Sequence, residues 1–300
     1  MSQASIVRLL SLSAIWGASF LFMRIGAPIL GPALLIFARV GLAAVFLLLI
    51  GFYVKKSLDV PRHWRHYLML GLFNSALPFL LFAFAAKTVS ASLLSILNAT
   101  APIWAAAIGA IFLRSRLTPK ALFGMLLGVT GVGLLVSVET LTLPAGGLVA
   151  IAAGLAAAFS YGIATTYAKT AKTVDPFANA HGCMWAATLM LAPLALHSPH
   201  WQAMPVLPLH VTLSVVALGI VCSGVAYLLY FRLIADVGAV PALTVTFLIP
   251  VFGILWGALF LGEQVGWHTV LGSVLVLTGT AWVTGFSVST VFQQRGQHAT

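Results

Sequence analysis

Apolar runs long enough to cross a lipid bilayer fill most of this chain, and they constrain its fold more than any other feature. A helix needs about 20 mostly apolar residues to cross the hydrocarbon core. Hydrophobic residues make up 61% of the 300 residues and charged residues only 7%, far from the balance of a soluble domain. The runs are continuous rather than alternating, which favours helices over barrel strands. The sequence therefore predicts an all-α integral membrane protein.

Ten such runs predict ten transmembrane helices joined by short connections. The first run is long enough to span the membrane, so we interpret it as an uncleaved helix rather than a signal peptide. The predicted spans are 6–25, 33–53, 67–86, 91–113, 121–138, 147–167, 178–196, 210–232, 239–261 and 267–289.

The basic residues predict the orientation of these spans. The formal net charge is +10, but no basic stripe is interleaved with exposed aromatic residues, so we expect no nucleic-acid partner. Most of the 15 Lys and Arg residues fall on one side of the membrane when the spans alternate in direction. The positive-inside rule then predicts that both termini are cytoplasmic.

The chain resembles itself at an offset of 148 residues, where Gly71 aligns with Gly219 and Pro102 with Pro250. Each half holds five predicted spans, in residues 1–140 and 141–290, followed by a cytoplasmic tail, 291–300. Because five is odd, equivalent helices cross the membrane in opposite senses, which predicts two inverted repeats around a central cavity. This architecture is typical of secondary transporters. A duplicated bundle without a transport role is the alternative.

Chemical motifs indicate transport rather than catalysis. No catalytic motif is found in its required context, and Cys183 and Cys222 lack the spacing of metal ligands, so we expect no enzyme activity, cofactor or metal. No Asp or Glu lies at the centre of a predicted span, which favours uniport or exchange over coupling through a buried carboxylate. His181 is the nearest protonatable substitute, and a hydrogen-bonded histidine at a helix end is the alternative interpretation.

Polar, aromatic and proline residues near the predicted midplane are the candidate substrate-binding residues. For each of them, packing within the bundle is the alternative. The candidates are Trp16, Asn74, Pro78, Phe79, Phe82, Asn98, Pro102, Tyr161, Trp185, Tyr227, Thr246 and Pro250. Two GxxxG patterns, starting at Gly124 and Gly253, predict close helix contacts, either in a homodimer or within one subunit.

The motifs resemble the EamA repeat of the drug/metabolite transporter superfamily. They are the Trp-Gly-Ala-Ser-Phe run at 16–20, Arg39, the 91–102 segment, and a second copy that runs from 239 to Glu263. The chain departs from the family at 114–116, where Arg-Ser-Arg stands in place of the usual Gly-Glu. Within that superfamily it resembles the bacterial aromatic amino acid exporters. The resemblance implies a protein of the bacterial inner membrane, and a structural or gating role for Arg39.

These observations together predict a secondary transporter that exports small amphipathic metabolites, most often amino acids with an aromatic bias, by alternating access. Its partners would be the substrate, the lipid bilayer and, in one alternative, a second copy of the chain. A multidrug exporter of lipophilic cations is a second hypothesis, although it would favour a central carboxylate. A channel or a membrane scaffold without transport is a third.

Overall fold

The computed structural model describes residues 2–139, 146–202, 206–242 and 244–285. Within these ranges every regular element is helical, which confirms the all-α prediction for the described chain. Two π-helical segments, Leu72–Ala76 and Ala217–Val225, join consecutive helices. The α-helices are α1 (Gln3–Val54), α2 (Val60–Gly71), α3 (Leu77–Ala85), α4 (Ala91–Asn98), α5 (Ala101–Phe112), α6 (Pro119–Glu139), α7 (Gly147–Thr170), α8 (Pro176–Leu196), α9 (Pro199–Gln202), α10 (Leu209–Val216), α11 (Ala226–Val237), α12 (Ala239–Ala242), α13 (Val245–Leu261) and α14 (Trp267–Thr284).

Six helical segments of the described chain are long and apolar enough to cross a membrane, and α13 is a shorter apolar helix. Many large apolar side chains on these helices face outward, as expected for a protein whose surface contacts lipid. The chain is therefore a multi-pass membrane protein. The six segments are Gln3–Val54, Val60–Ala85, Ala91–Phe112, Pro119–Val138, Gly147–Thr170 and Leu209–Val237.

The long helix α1 combines two predicted spans and is broken at Gly31. The sequence predicts a connection between residues 25 and 33, but helical structure continues through this stretch except at Gly31, where φ is 69° and ψ is 156°. Pro28 and Pro32 flank the break, and both disrupt the backbone hydrogen bonds of a helix. A side chain at Gly31 would also lie 2.7 Å from Nδ1 of His200. The chain therefore changes direction at a residue that must be glycine.

The two π-helical segments occur at matching places in the two halves of the chain. Leu72–Ala76 lies between α2 and α3, and Ala217–Val225 lies between α10 and α11. Adding the sequence offset of 148 to residues 72–76 gives 220–224, which falls inside the second π-helical segment. Such wide turns are rare and are found most often at functional sites. The internal resemblance of the sequence thus extends to a local departure from α-helical geometry.

Close helix contacts at glycine residues also occur in matching pairs. A Cβ atom added at Gly17 would lie 2.7 Å from Cβ of Phe252, and one added at Gly162 would lie 2.9 Å from Cβ of Trp104. Gly17 and Gly162 are 145 residues apart, and Trp104 and Phe252 are 148 apart. Helix α1 therefore packs on α13 just as α7 packs on α5. Small residues permit this approach of two helices in a membrane.

A second matching pair of contacts is related by the same offset of 148 residues, which aligns Gly124 with Gly272 and Gly131 with Gly279. A Cβ at Gly124 would lie 2.6 Å from the carbonyl oxygen of Gly279, and one at Gly131 would lie 2.9 Å from that of Gly272. These contacts join α6 to α14. The GxxxG pattern that begins at Gly124 is thus used for packing within one chain. The pattern that begins at Gly253 is used in the same way, because a Cβ there would overlap with Ser95.

Ion pairs tie the helix ends on the predicted cytoplasmic side. Nζ of Lys56 lies 2.6 Å from a carboxylate oxygen of Asp175, and Asp236 pairs with both Arg8 and Arg232. Burial alone would raise the pKa of Asp175, but the hydrogen bonds from Lys56 and from the backbone of Ala178 and Phe177 outweigh it and lower the pKa. Asp175 also caps the N-terminus of α8. The Lys56–Asp175 pair connects the segment after α1, in the first predicted half, to the start of α8 in the second half.

We expect Gly124→Ala to destabilise the protein and Gly133→Ala to leave it unchanged or slightly more stable. Both residues lie on α6, but a Cβ at Gly133 meets no atom within 4 Å. Overpacking of a tight contact costs about 1–3 kcal/mol, whereas Gly→Ala in an open helical position gains up to about 1 kcal/mol. Thermal unfolding in detergent measures the difference. Equal unfolding midpoints for the two variants would contradict the packing described above.

Candidate functional site

A cavity of about 640 Å³ lies between helices of both halves of the chain. Residues of α1, α3, α5, α7, α11 and α13 line it, together with both π-helical segments, the ends of α4 and α12, and the C-terminal end of α14. Its volume lies within the range of cavities that bind a small organic molecule. Aromatic side chains make up much of the lining, and asparagine, threonine and serine side chains provide polar groups.

Nine of the twelve predicted substrate-binding residues line this cavity. They come from both halves of the chain, which the fold brings together around one space. The nine residues are Trp16, Asn74, Phe79, Phe82, Asn98, Pro102, Tyr161, Tyr227 and Thr246.

The other three predicted residues, Pro78, Trp185 and Pro250, do not line the cavity. Pro78 and Pro250 are buried, and their neighbours Phe79 and Ile249 contribute to the lining instead. Trp185 lies on α8, and no residue of that helix lines the cavity. Its indole Nε1 donates a hydrogen bond of 2.9 Å to Nε2 of His181. His181, predicted to have a gating or structural role, thus also lies outside the cavity and accepts a hydrogen bond from a half-buried tryptophan.

Aromatic rings from several helices form a large part of the cavity wall. The ring centroid of Trp16 lies 5.4 Å from that of Tyr230 and 6.4 Å from that of Tyr227. At the buried end, Phe82 packs edge-on against Phe20 with a centroid distance of 5.4 Å. Tyr161 lies 6.3 Å from Phe82. Such distances are those of stabilising aromatic pairs, and the rings offer flat apolar surface to a ligand.

Arg39 supplies a positive charge to the buried part of the cavity. Its side chain is only 3% exposed, and its Cζ lies 3.7 Å from the ring centroid of Phe79. Nε donates a hydrogen bond of 3.0 Å to Oγ of Ser223, which belongs to the second π-helical segment. Nη1 lies 3.8 Å from Sδ of Met23.

Sequence analysis missed several lining residues that a helical period would have found. Ser19, Phe20 and Met23 follow Trp16 at intervals of three, four and seven residues, so they share one face of α1. Ala105 and Ala106 follow Pro102 in the same way on α5. Of these residues, Ala105 and Ala106 are small and apolar and carry no chemical signal of their own, whereas Ser19, Phe20 and Met23 could have been found from their spacing to Trp16.

One end of the cavity is open and the other is closed. Thr165, Lys169 and Thr284 line the open end and are exposed. Lining residues farther from this end, such as Met23 and Phe82, are buried. Lys169 is exposed and lies in the last turn of α7. The cavity therefore opens at the C-terminal end of this helix.

Glu263 fastens helices together at the closed end. Its carboxylate accepts hydrogen bonds from the backbone N–H groups of Ala91 and Ser92, at 2.6 and 3.0 Å, and from Oγ of Ser92, at 2.6 Å. A carboxylate at a helix N-terminus is stabilised by unpaired N–H groups and by the helix dipole. Glu263 follows α13 and therefore holds that helix to the start of α4. On the same side, Nη1 of Arg24 donates to the carbonyl oxygen of Ala86 at 2.7 Å.

No group of three or more His, Cys, Asp or Glu residues within the described part of the chain is arranged to hold a metal ion. The structure describes the side chains of four acidic residues, and each of them contacts a partner away from the cavity. Asp59 lies 3.9 Å from His63, and Asp175, Asp236 and Glu263 have the contacts given above. The charged residues that line the cavity, Arg39 and Lys169, are both basic.

The chain belongs to the EamA-like transporter family, whose sequence profile matches it twice, at residues 4–137 and 148–285. It is 25% identical over 278 residues to the uncharacterized transporter YoaV of Bacillus subtilis, covering 90% of this chain and 93% of that protein. It is 28% identical to an uncharacterized transporter of Archaeoglobus fulgidus, covering 88% and 92% of the two chains. The protein PagO of Salmonella typhimurium is 25% identical, with 89% and 88% covered.

A solved structure described only as a protein crystal structure shares the fold. It superimposes with a TM-score of 0.63 and 17% sequence identity, covering 98% of this chain and all of the other. Family membership makes this protein a membrane transporter and argues against an enzyme. The relatives' names do not identify a substrate.

We expect Glu263→Ala to lower the stability of the protein by about 1–3 kcal/mol, because two backbone N–H groups of α4 lose their acceptor. Glu263→Gln should lower the stability by less, since the amide oxygen of glutamine can still accept one of these hydrogen bonds. Gln264→Ala, a change at the exposed neighbouring residue, is the matched control. Unfolding midpoints in detergent measure all three. If Glu263→Ala unfolds at the same temperature as Gln264→Ala, the carboxylate does not fasten these helices.

Proposed function

We propose that this protein is a secondary transporter that exports small amphipathic metabolites, amino acids with aromatic side chains foremost. The observation that carries the proposal is the cavity between the two halves, lined by aromatic rings and polar side chains and open at one end. Aromatic rings such as Trp16 and Tyr161 would contact the substrate's side chain. The amides of Asn74 and Asn98, which also line the cavity, would bind its polar groups.

The proposed architecture has ten transmembrane helices in two inverted five-helix repeats, 1–140 and 141–290. Counting α1 as two spans supports it, since a straight helix of 52 residues would be about 78 Å long, well over twice the thickness of the hydrocarbon core. Helices α8, α13 and α14 add three spans to the seven in the longer segments. The paired glycine contacts support two equivalent repeats. An odd number of spans in each repeat then requires opposite orientations.

The proposed mechanism is alternating access, in which the two repeats rock around a central site. With both termini in the cytoplasm, as the positive-inside rule favours, the open end near Lys169 faces the cytoplasm and Glu263 lies on the outer side. This conformation suits an exporter that loads its substrate from inside the cell. The location that follows is the bacterial inner membrane, and a homodimer remains one alternative for the assembly.

Two other functions would leave different signatures. An exporter of lipophilic cations would benefit from an acidic residue in the cavity, and the four described carboxylates all have partners elsewhere. A channel would need a continuous path, whereas the cavity has buried aromatic residues at one end. Both observations favour a carrier of amino acids over these alternatives.

We expect purified protein in liposomes loaded with unlabelled L-phenylalanine to accumulate labelled L-phenylalanine transiently and saturably. Ala106→Trp should reduce this counterflow at least about tenfold, because the added ring fills the cavity that Ala106 lines. Ala107→Trp, at the neighbouring residue that does not line the cavity, should retain it. Flux without saturation would favour a channel. Competition by lipophilic cations but not by amino acids would favour the multidrug alternative.

A further inference from the structure

Arg39 is the most deeply buried charged residue that lines the cavity. It lies in the half of α1 that follows the break at Gly31, and its side chain is 3% exposed. The other basic residue of the lining, Lys169, is exposed at the open end. A buried positive charge in a membrane protein is costly unless an opposite charge or several polar partners compensate for it.

No carboxylate in the described part of the chain compensates for this charge. None lies within 4.0 Å of a nitrogen atom of Arg39, and Asp59, Asp175, Asp236 and Glu263 are engaged at the helix ends. The ring of Phe79 provides a cation–π contact that offsets part of the cost. The cavity thus holds a positive charge that its own walls neutralise only in part.

The surroundings of Arg39 hold its guanidinium group in place while leaving donors unused. The hydroxyl group of Ser223 donates to the carbonyl oxygen of Leu218 at 3.0 Å, so its oxygen is oriented to accept from Nε of Arg39. The π-helical turn makes this bond between residues five apart possible. On the other edge, Nη1 contacts the thioether of Met23, which is a weak acceptor. A guanidinium group has five donors and binds carboxylates best through two parallel hydrogen bonds.

We propose that Arg39 binds the carboxylate of the transported solute, which makes the cavity selective for small aromatic carboxylates over the corresponding amines. The inference rests on the proposed function and specifies the chemistry of its site. The solute's carboxylate supplies the negative charge that balances Arg39, while rings such as Trp16 and Phe82 contact the solute's apolar part. A cationic amine would meet the same charge with repulsion. The exposed Lys169 raises the local concentration of anions at the open end.

The test compares three ligands of similar size in the wild-type protein and in variants of Arg39. The ligands are L-phenylalanine, 3-phenylpropionate, which lacks the amine, and phenethylamine, which lacks the carboxylate. We expect 3-phenylpropionate, but not phenethylamine, to compete with L-phenylalanine counterflow and to raise the unfolding temperature of the purified wild-type protein. Arg39→Gln should lose the thermal shift with 3-phenylpropionate and reduce counterflow at least about tenfold.

Two further variants separate binding from folding. Arg39→Lys keeps the charge but not the planar pair of donors, so it should retain the preference for acid over amine with a higher KM. Arg65→Gln removes another arginine that lies over an aromatic ring, Trp64, but is exposed and outside the cavity, and it should behave as wild type.

Equal competition by phenethylamine and 3-phenylpropionate in the wild type would overturn the assignment, and so would a preserved preference in a folded Arg39→Gln variant. Absence of L-phenylalanine counterflow in the wild type would instead contradict the proposed function. In that case the thermal shifts of the purified protein with the acid and the amine still decide the role of Arg39.

Discussion

Close packing of helices at glycine residues is the constraint on which the rest of this structure depends. Lipid is as apolar as leucine, so helices in a bilayer gain little from hiding apolar side chains and must associate by fitting closely. Gly17 and Gly162 make equivalent contacts in the two halves, and the contact of Gly124 with Gly279 matches that of Gly131 with Gly272. Because each contact has a counterpart 145 or 148 residues away, one set of packing rules builds both halves of the bundle around the cavity.

The two halves are alike in packing but differ at the connection that follows α5 in the first half and α13 in the second. Glu263 caps the start of α4 from the far end of α13. The equivalent place in the first half carries Arg114-Ser115-Arg116, so no carboxylate is available there. The acidic cap on α4 therefore has no acidic counterpart at the equivalent place in the first half. In the proposed transporter, this contact would stabilise the conformation in which the end near Glu263 is closed.

The sequence predicted the all-helical fold because long apolar runs leave few alternatives in a membrane. It did not predict the break at Gly31 or the two π-helical segments, because these depend on contacts with other helices. Depth along a span pointed to nine of the residues that line the cavity. It could not tell which side of a helix faces the cavity, and Trp185 and the lining residue Tyr161 look alike by depth alone. The role of Glu263 was not predicted, since its partners lie about 170 residues earlier.

Opposite orientation of the two halves is the central claim, and labelling of single cysteines tests it most directly. In a chain whose two cysteines are replaced by alanine, Lys56→Cys and Arg116→Cys mark exposed connections of the first half. Gln202→Cys and Gln264→Cys mark the corresponding exposed connections of the second half. We predict that a membrane-impermeant maleimide labels the second pair in intact cells and the first pair only after permeabilisation. Labelling of all four from the same side would contradict the inverted repeat.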